Sequence, residues 1–235
     1  MRILTIVPDD LLPFAVTARV ALAATALVTL LGLPLARGLS LWARHGTGAR
    51  RAVAVLDTLF LLPLVLPPTT LGYFLLVLLG RRSPLGAFLT DLGIPLVFTA
   101  AGAVVASAVS AFPLFYEPVK AAFDSIDTSV EDAARLLGAP ERFVLFRISL
   151  PLASRGLLAG IALAFARAVG DFGTTLMVAG SIPGHTQTVA LAIYEAVQAG
   201  EDRRALMLAA SVAVFSLAAL AGARLVRLRG AGGAR

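Results

Sequence analysis

The sequence predicts an all-α protein, a polytopic transmembrane helical bundle of five to six spans with further helices on the cytoplasmic side. Of its 235 residues, 58% are hydrophobic and 14% are charged, whereas a soluble domain has roughly 25% charged residues. The mean hydropathy is +0.89. Apolar runs of spanning length recur along the chain, and arginines cluster between them. These observations exclude an ordinary soluble globular domain.

Five segments have the length and apolarity of a spanning helix, at 14–36, 59–80, 92–116, 156–180 and 205–223. The Pro67-Pro68 pair predicts a broken helix inside the second segment, because each proline removes a backbone donor. A shorter stretch, Thr188 to Ala199, has a helical pattern but cannot easily span. It forms a re-entrant helix, a surface helix or part of a sixth span.

The distribution of arginine predicts the orientation of the chain. Three basic regions, 37–51, 117–155 and 224–235, lie on one side when the chain spans five times, and the positive-inside rule makes that side cytoplasmic. The C-terminus is then cytoplasmic and the N-terminus outside. Topology therefore explains the net charge of +6, and no nucleic-acid partner is expected. Asp9 and Asp10 precede the first apolar run, which argues against a cleaved signal peptide.

The segment at 117–151 predicts short amphipathic helices at the cytoplasmic surface. Two apolar stripes run at helical spacing through Val119, Ala122, Phe123 and Ile126, then Val130, Ala133, Ala134 and Leu137. Thr128 and Glu131 fit a capping box, with Thr128 as the N-cap and Glu131 at N3. Gly138 fits a left-handed C-terminal cap, after which Pro140 can open the next helix.

Such a segment either lies on the lipid or docks on a soluble protein. Its polar face is rich in acidic residues, which anionic lipid disfavours: Asp124, Asp127, Glu131, Asp132 and Glu141. The charge pattern therefore favours docking.

The run Glu131-Asp132-Ala133-Ala134, followed by Gly138 and later by Leu150-Pro151, resembles the "EAA" loop of ATP-binding-cassette importer permeases. Asp132 stands where that family usually has alanine. The resemblance implies that this loop forms coupling helices that dock on ATPase subunits. The positions that it assigns to this docking are Glu131, Asp132, Ala133, Ala134, Leu137, Gly138 and Ala139.

Two other stretches, 165–188 and 62–73, look like the corresponding regions of molybdate permeases. That family usually has glutamate at the position of Asp171 and asparagine at that of Ser181. The similarity extends from about residue 14 to 223. It implies an oxyanion importer, most closely a molybdate importer, with tungstate and sulfate or thiosulfate as alternatives.

Polar residues around the fourth span are candidates for the translocation path. Arg167 and Asp171 are four residues apart and can pair, either for function or as a self-neutralising structural pair. Hydroxyl groups can bind an oxyanion without a fixed charge, or can simply pack and shape turns. Those that follow the pair are Thr174, Thr175, Ser181, Thr186 and Thr188.

The chain carries no phosphate-binding GxxxxGK[ST] loop, no cysteine, and two distant histidines, His45 and His185. We therefore expect no catalytic site, metal or cofactor on this chain. The resemblance implies ATP and Mg²⁺ on two copies of a partner ATPase, an external oxyanion-binding protein, and a permease homodimer in a bacterial or archaeal inner membrane. A proton-coupled secondary transporter or a polytopic membrane enzyme would explain the hydropathy, but neither explains the capped cytoplasmic segment.

Overall fold

The computed structural model describes residues 8–214 and 217, with side chains described from residue 11 onward. The basic tail at 224–235 and the end of the last predicted span, 215–223 except 217, lie outside the described residues. The described residues form helices and connecting turns, with no strand among them. The protein is therefore an all-α polytopic bundle.

The helices follow one another with short connections. They are α1 (Pro8–Ala43), α2 (Thr47–Val65), α3 (Pro68–Leu79), α4 (Pro84–Asp91), α5 (Ala100–Asp124), α6 (Thr128–Leu136), α7 (Glu141–Phe143), a π-helical turn (Val144–Ser149), α8 (Leu150–Val169), α9 (Gly173–Ala179) and α10 (Val189–Gln198). A further helix, α11, covers 202–214.

Three continuous helical stretches in the described part of the chain are long and apolar enough to cross a membrane: Leu11–Ala43, Ala100–Asp124 and Glu141–Val169. Helices α2 and α3 qualify together but are bent by 113° at the break between them. Leu66 adopts an extended conformation and Pro67 and Pro68 follow it. The broken helix predicted at this proline pair is confirmed.

The third apolar segment of the sequence is helical only from Ala100. Gly93, at φ +78°, ends α4 with its N–H bonded to the Thr90 carbonyl, and Pro95 follows with no N–H to donate. Thr99 then caps α5, accepting a hydrogen bond from the Gly102 N–H at 3.1 Å. Helix α5 continues to Asp124, so the first amphipathic stripe is the buried end of a long helix instead of a separate short one.

Helices α5 and α8 approach each other closely through small residues. A Cβ added to Gly160 would lie 2.8 Å from the carbonyl oxygen of Phe115. A Cβ on Gly156 would lie 2.6 Å from the carbonyl oxygen of Pro118. Small residues let two backbones meet in this way inside a membrane.

The chain divides into two compact units. The larger unit, Ala18–Gly180, is built around a core that includes Phe115, Tyr116, Val119 and Phe123. The smaller unit combines the described parts of 1–17 and 181–235. Within it, the N–H of Val189 donates to Thr17 Oγ1 at 2.9 Å and ties the start of α10 to α1.

Candidate functional site

The helix that the resemblance assigns to docking on an ATPase subunit is α6. Its N-cap is Asp127, whose Oδ1 accepts a hydrogen bond from the Ser129 N–H at 2.9 Å. That bond lowers the pKa of the Asp127 carboxyl. The predicted capping box is therefore wrong: Thr128 is the first helical residue, and Glu131 does not reach back to it. Glu131 is instead drawn into the protein by stronger cationic partners.

The Glu131 carboxylate is completely buried and contacts residues at the end of α1, in the π-helical turn and in α6 itself. Oε1 lies 2.9 Å from Nη2 of Arg37 and accepts a hydrogen bond from Ser149 Oγ at 2.7 Å. Oε2 lies 2.8 Å from Nη1 of Arg44 and 3.8 Å from Nη2 of Arg135. We call Glu131, Arg37, Arg44 and Ser149 the Glu131 cluster. It joins α6 to the end of α1 and to the π-helical turn.

Charge and burial oppose each other at Glu131. Burial alone would raise the pKa of this carboxyl, because a low-dielectric environment disfavours the charged form. The hydrogen bond from Ser149 and the charges of Arg37 and Arg44 outweigh burial, so the pKa lies below its usual value. Glu131 is therefore a carboxylate at neutral pH.

The far end of α6 is closed by Gly138 at φ +82°. Its N–H bonds to the Arg135 carbonyl at 2.9 Å, and the Ala139 N–H bonds to the Ala134 carbonyl at 3.0 Å. These two bonds form a Schellman motif. The predicted left-handed cap is confirmed. Pro140 is the N-cap of α7, one residue before the helical position predicted for it.

Arg135 connects α6 to the start of α7, because its guanidinium bonds to both Asp132, at 2.8 Å, and Glu141, at 2.7 Å.

The apolar positions of α6 face outward. Leu136 and Leu137 are each 89% exposed and Val130 is 45% exposed. Of the predicted stripe, Ala133 is also exposed and Ala134 is half-buried, as is Ala139 beyond the cap. The predicted spacing of the apolar residues is therefore confirmed, but the apolar face is exposed, and the face that was expected to be polar and exposed is buried. The buried face is built from the Glu131 ion pairs, and the leucines are left open.

Inside the bundle, the predicted pair of Arg167 and Asp171 is formed. Arg167 Nη1 lies 3.2 Å from Asp171 Oδ1, and the Asp171 side chain is fully buried. Oδ1 also accepts from Ser110 Oγ at 3.1 Å. Oδ2 accepts from the N–H and the Oγ1 of Thr175, at 3.1 and 2.6 Å. The carboxylate is thus saturated and also caps the first turn of α9.

Thr174 and Thr175 face different neighbours. Thr175 Oγ1 lies 3.2 Å from Ser107 Oγ and extends the Asp171 network onto α5. Thr174 Oγ1 donates to the Pro68 carbonyl at 3.3 Å, beside the break between α2 and α3. Both threonines are completely buried. The structure therefore joins Thr175 with Arg167 and Asp171, and places Thr174 against the broken helix.

The other three candidate hydroxyls belong to the smaller unit. Thr186 Oγ1 accepts a hydrogen bond from the Ile182 N–H at 2.9 Å, which closes the turn at 182–186. Ser181 Oγ and Thr188 Oγ1 are buried without a hydrogen-bond partner among the described residues. Unlike the Thr186 hydroxyl, these two can still form a hydrogen bond with a polar group that enters the site, because each is a buried donor without a partner.

Several residues of these networks were not found from the sequence. The positive-inside rule accounts for Arg37 and Arg44 in the sequence, and Ser107, Ser110 and Ser149 belong to no motif there. The spacing of Arg37 and Arg44 does indicate a shared site, because residues seven apart lie on one face of a helix. No comparable signal marks the serines, because their role depends on which helices pack together.

A cavity of about 330 Å³ lies next to the Glu131 cluster in the larger unit. Ser40, Arg44, Arg50, Asp57, Lys120 and Asp124 provide its polar lining. Lys120 Nζ bridges Asp57, at 3.3 Å, and Asp124, at 2.8 Å. Tyr116 donates a 2.5 Å hydrogen bond to Asp57. The acidic groups largely balance the basic ones, so the lining selects for neither sign of charge.

Comparison with known proteins covers most of the chain. Residues 30–229 match the family described as binding-protein-dependent transport system inner membrane component. The Escherichia coli K12 molybdenum transport system permease protein ModB is 42% identical over 178 residues, which are 74% of this chain and 78% of that protein. The Azotobacter vinelandii ModB is 38% identical over 212 residues, 90% of this chain and 91% of that protein. The Mycobacterium tuberculosis ModB is 37% identical over 187 residues, 80% of this chain and 69% of that protein.

Proposed function

The chain belongs to the family of binding-protein-dependent transport system inner membrane components, and on that premise we propose that it is the permease subunit of an ATP-driven molybdate importer. The observation that carries this proposal is α6: a short, doubly capped helix that leaves its leucines open beside a buried Glu131. The three permeases compared above are named as molybdenum transport proteins, which supports molybdate as the anion. Tungstate and sulfate or thiosulfate are the competing substrates.

The partner that fits α6 is an ATPase subunit with an apolar groove. Leu136 and Leu137 would enter such a groove, because exposed apolar side chains on a rigid helix gain most from burial against a partner. Val130, Ala133 and Asp132 would flank them. The Schellman motif at Gly138 holds the helix rigid while a force acts on it. We assign ATP and Mg²⁺ to this partner.

The complete transporter would contain two copies of this chain over two ATPase subunits, with a binding protein on the outer side. The positive-inside rule places 37–51 and the α6 region in the cytoplasm, the C-terminus with them and the N-terminus outside. ATP-driven closure of the ATPase pair would move the coupling helices and shift the bundle between outward-open and inward-open states.

For the anion itself, we propose a path that includes Arg167 and, as the sequence predicts, the hydroxyls that follow it along the chain. Arg167 is 25% exposed and shares its charge with a saturated Asp171, so it can attract an anion without holding it tightly. The orphan hydroxyls of Ser181 and Thr188 are the donors best able to take a new acceptor. Weak contacts suit a permease, because an anion that binds tightly leaves slowly.

The test is ATP hydrolysis by the complex, reconstituted in lipid with its cognate ATPase subunit and binding protein. Molybdate, tungstate and sulfate are added in turn. We expect molybdate-loaded binding protein to stimulate hydrolysis, and Gly138→Pro to remove the stimulation, because proline cannot adopt φ +82°.

The matched control is Gly200→Pro. Gly200, at φ +73°, closes α10 with the same pair of hydrogen bonds but lies outside α6. It should keep the stimulation. Stimulation by sulfate alone would change the assigned substrate from molybdate to sulfate. Failure to assemble with any ATPase would refute the transporter assignment.

A further inference from the structure

The Glu131 side chain offers no surface to a partner protein in this structure, because it is fully buried. The motif residues beside it are different: Asp132 has a side chain that is 61% exposed, and Leu137 is 89% exposed. One face of α6 is therefore exposed and available to a partner protein, whereas the face that carries Glu131 is buried against other parts of the chain. The role of Glu131 must be sought among its internal partners.

Those partners connect α6 to two elements that lead into the membrane. Arg37 and Arg44 lie near the end of α1, one of the longest helices of the bundle. Arg37 is itself 6% exposed and stacks over the Phe123 ring, with its guanidinium carbon 5.4 Å from the ring centre. Arg44 Nη2 also reaches the Phe123 carbonyl at 3.4 Å. The two arginines thus hold α1, α5 and α6 together.

Ser149 connects the same carboxylate to the π-helical turn. Its Oγ bonds to Glu131 Oε1 at 2.7 Å and to the Val144 carbonyl at 3.3 Å, across that turn. A π-helical turn is a wide, poorly favoured form that is found at functional positions in helices. It leads directly into α8. The hydroxyl therefore joins α6 to the one irregular turn before α8.

We propose that Glu131 is a positioning residue that transmits motion: its carboxylate ties the coupling helix to α1 through Arg37 and Arg44, and to the π-helical turn through Ser149. A displacement of α6 then pulls on the ends of α1 and α8 together. The inference rests on the proposed function, since it assumes that an ATPase subunit moves α6. It assigns to Glu131 an action inside the permease instead of a contact with that subunit.

The experiment compares three variants of the reconstituted complex: Glu131→Gln, Arg44→Gln and the double variant. The measured quantity is the coupling ratio, defined as the ATPase rate with molybdate-loaded binding protein divided by the rate without it. We expect each single change to bring the ratio down to one. The double variant should be no worse than either single one, because residues that act through one contact are not additive.

Two further variants make the result specific. Asp124→Asn removes a half-exposed carboxylate at the end of α5, outside the cluster, and should keep the wild-type ratio. Ser149→Ala removes the hydrogen bonds of one hydroxyl, to Glu131 and to the Val144 carbonyl, and no charge. It should lower the ratio while the complex still assembles, as measured by size-exclusion chromatography. If Glu131→Gln does not assemble, the Ser149→Ala ratio decides the question.

The inference is overturned if Glu131→Gln loses stimulation while Arg44→Gln and Ser149→Ala keep it, because the partner of Glu131 would then lie outside this chain. A loss in Asp124→Asn as well would also overturn it, since any change of surface charge would then suffice. A wild-type complex that never couples would instead refute the proposed function, so the two failures can be told apart.

Discussion

The two most deeply buried carboxylates that form ion pairs, Glu131 and Asp171, are stabilised in different ways. Glu131 faces two arginines with its two oxygens, so its neighbours carry an excess of positive charge. Asp171 has one arginine and is otherwise satisfied by hydroxyl and amide hydrogens. A buried carboxylate needs such compensation, because losing water costs several kcal/mol for each ion.

Removing the Asp171 carboxylate should strongly destabilise the bundle. Asp171→Ala leaves Arg167 without its anion and Ser110 without its acceptor, and we expect a loss of about 3 kcal/mol. Thermal unfolding of the purified permease in detergent measures this as a lower midpoint temperature. Glu201→Gln breaks the exposed pair with Arg204 and should change stability by less than about 1 kcal/mol. Equal shifts for the two variants would contradict the structural role of Asp171.

Acid should weaken the Glu131 cluster in a defined direction. Because the pKa of Glu131 is lowered on folding, its stabilisation is fully present above the ordinary carboxyl pKa of about 4.3 and is lost as the pH falls through the lower folded value. The measurement is the difference in thermal unfolding midpoint between wild type and Glu131→Gln at several pH values. The difference should be constant from about pH 5.5 to 8 and should shrink below the ordinary carboxyl pKa. A difference that grows towards low pH would contradict the assignment.

At the scale of the element, two helices can pack closely only where the residue at their contact has no side chain, and this distinguishes two glycines of the bundle. Gly160 on α8 and Gly38 on α1 both lie inside helices, but a Cβ on Gly160 would press on Phe115, whereas nothing lies within 4 Å of one on Gly38. Gly160→Ala should therefore destabilise the permease by about 1–3 kcal/mol through overpacking. Gly38→Ala should be neutral or stabilise by up to about 1 kcal/mol, because alanine favours the helix. Thermal unfolding of both variants checks the contrast, and a stabilising Gly160→Ala would show that α5 and α8 can separate.

At the scale of the whole molecule, the open leucines of α6 belong to an assembly larger than one chain. Replacing Leu136 and Leu137 by serine should weaken binding of the ATPase subunit by about 30-fold or more, the loss typical of a central interface residue. The permease alone should keep its unfolding temperature, because both side chains are exposed. Co-purification and titration binding measure the first effect. Leu85→Ser, on α4, is the matched control and should bind the ATPase subunit normally. Unchanged binding in the double serine variant would remove α6 as the docking helix.

Much of the architecture follows from short-range chemistry and could be predicted. Hydropathy predicted the all-α membrane bundle, the proline pair at 67–68 predicted the break between α2 and α3, and Gly138 predicted its own left-handed cap. The spacing of Arg167 and Asp171 predicted their ion pair. The break, the cap and the ion pair depend on residues within about one helical turn, where the local helix geometry determines which groups can meet.

The sequence by itself therefore determined the class of the protein, the break at Pro67-Pro68, the left-handed cap at Gly138, and the motif that identifies its family. Only the tertiary structure decided that Glu131 turns away from the capping box towards Arg37 and Arg44, that the leucines of α6 face outward, and that Ser107 and Ser110 serve the Asp171 network. These partners are 61 to 94 residues apart in the chain, and which charged group a carboxylate meets depends on how the helices pack. Burial makes the choice decisive, because an unpaired charge inside the protein costs far more than a lost cap at its surface.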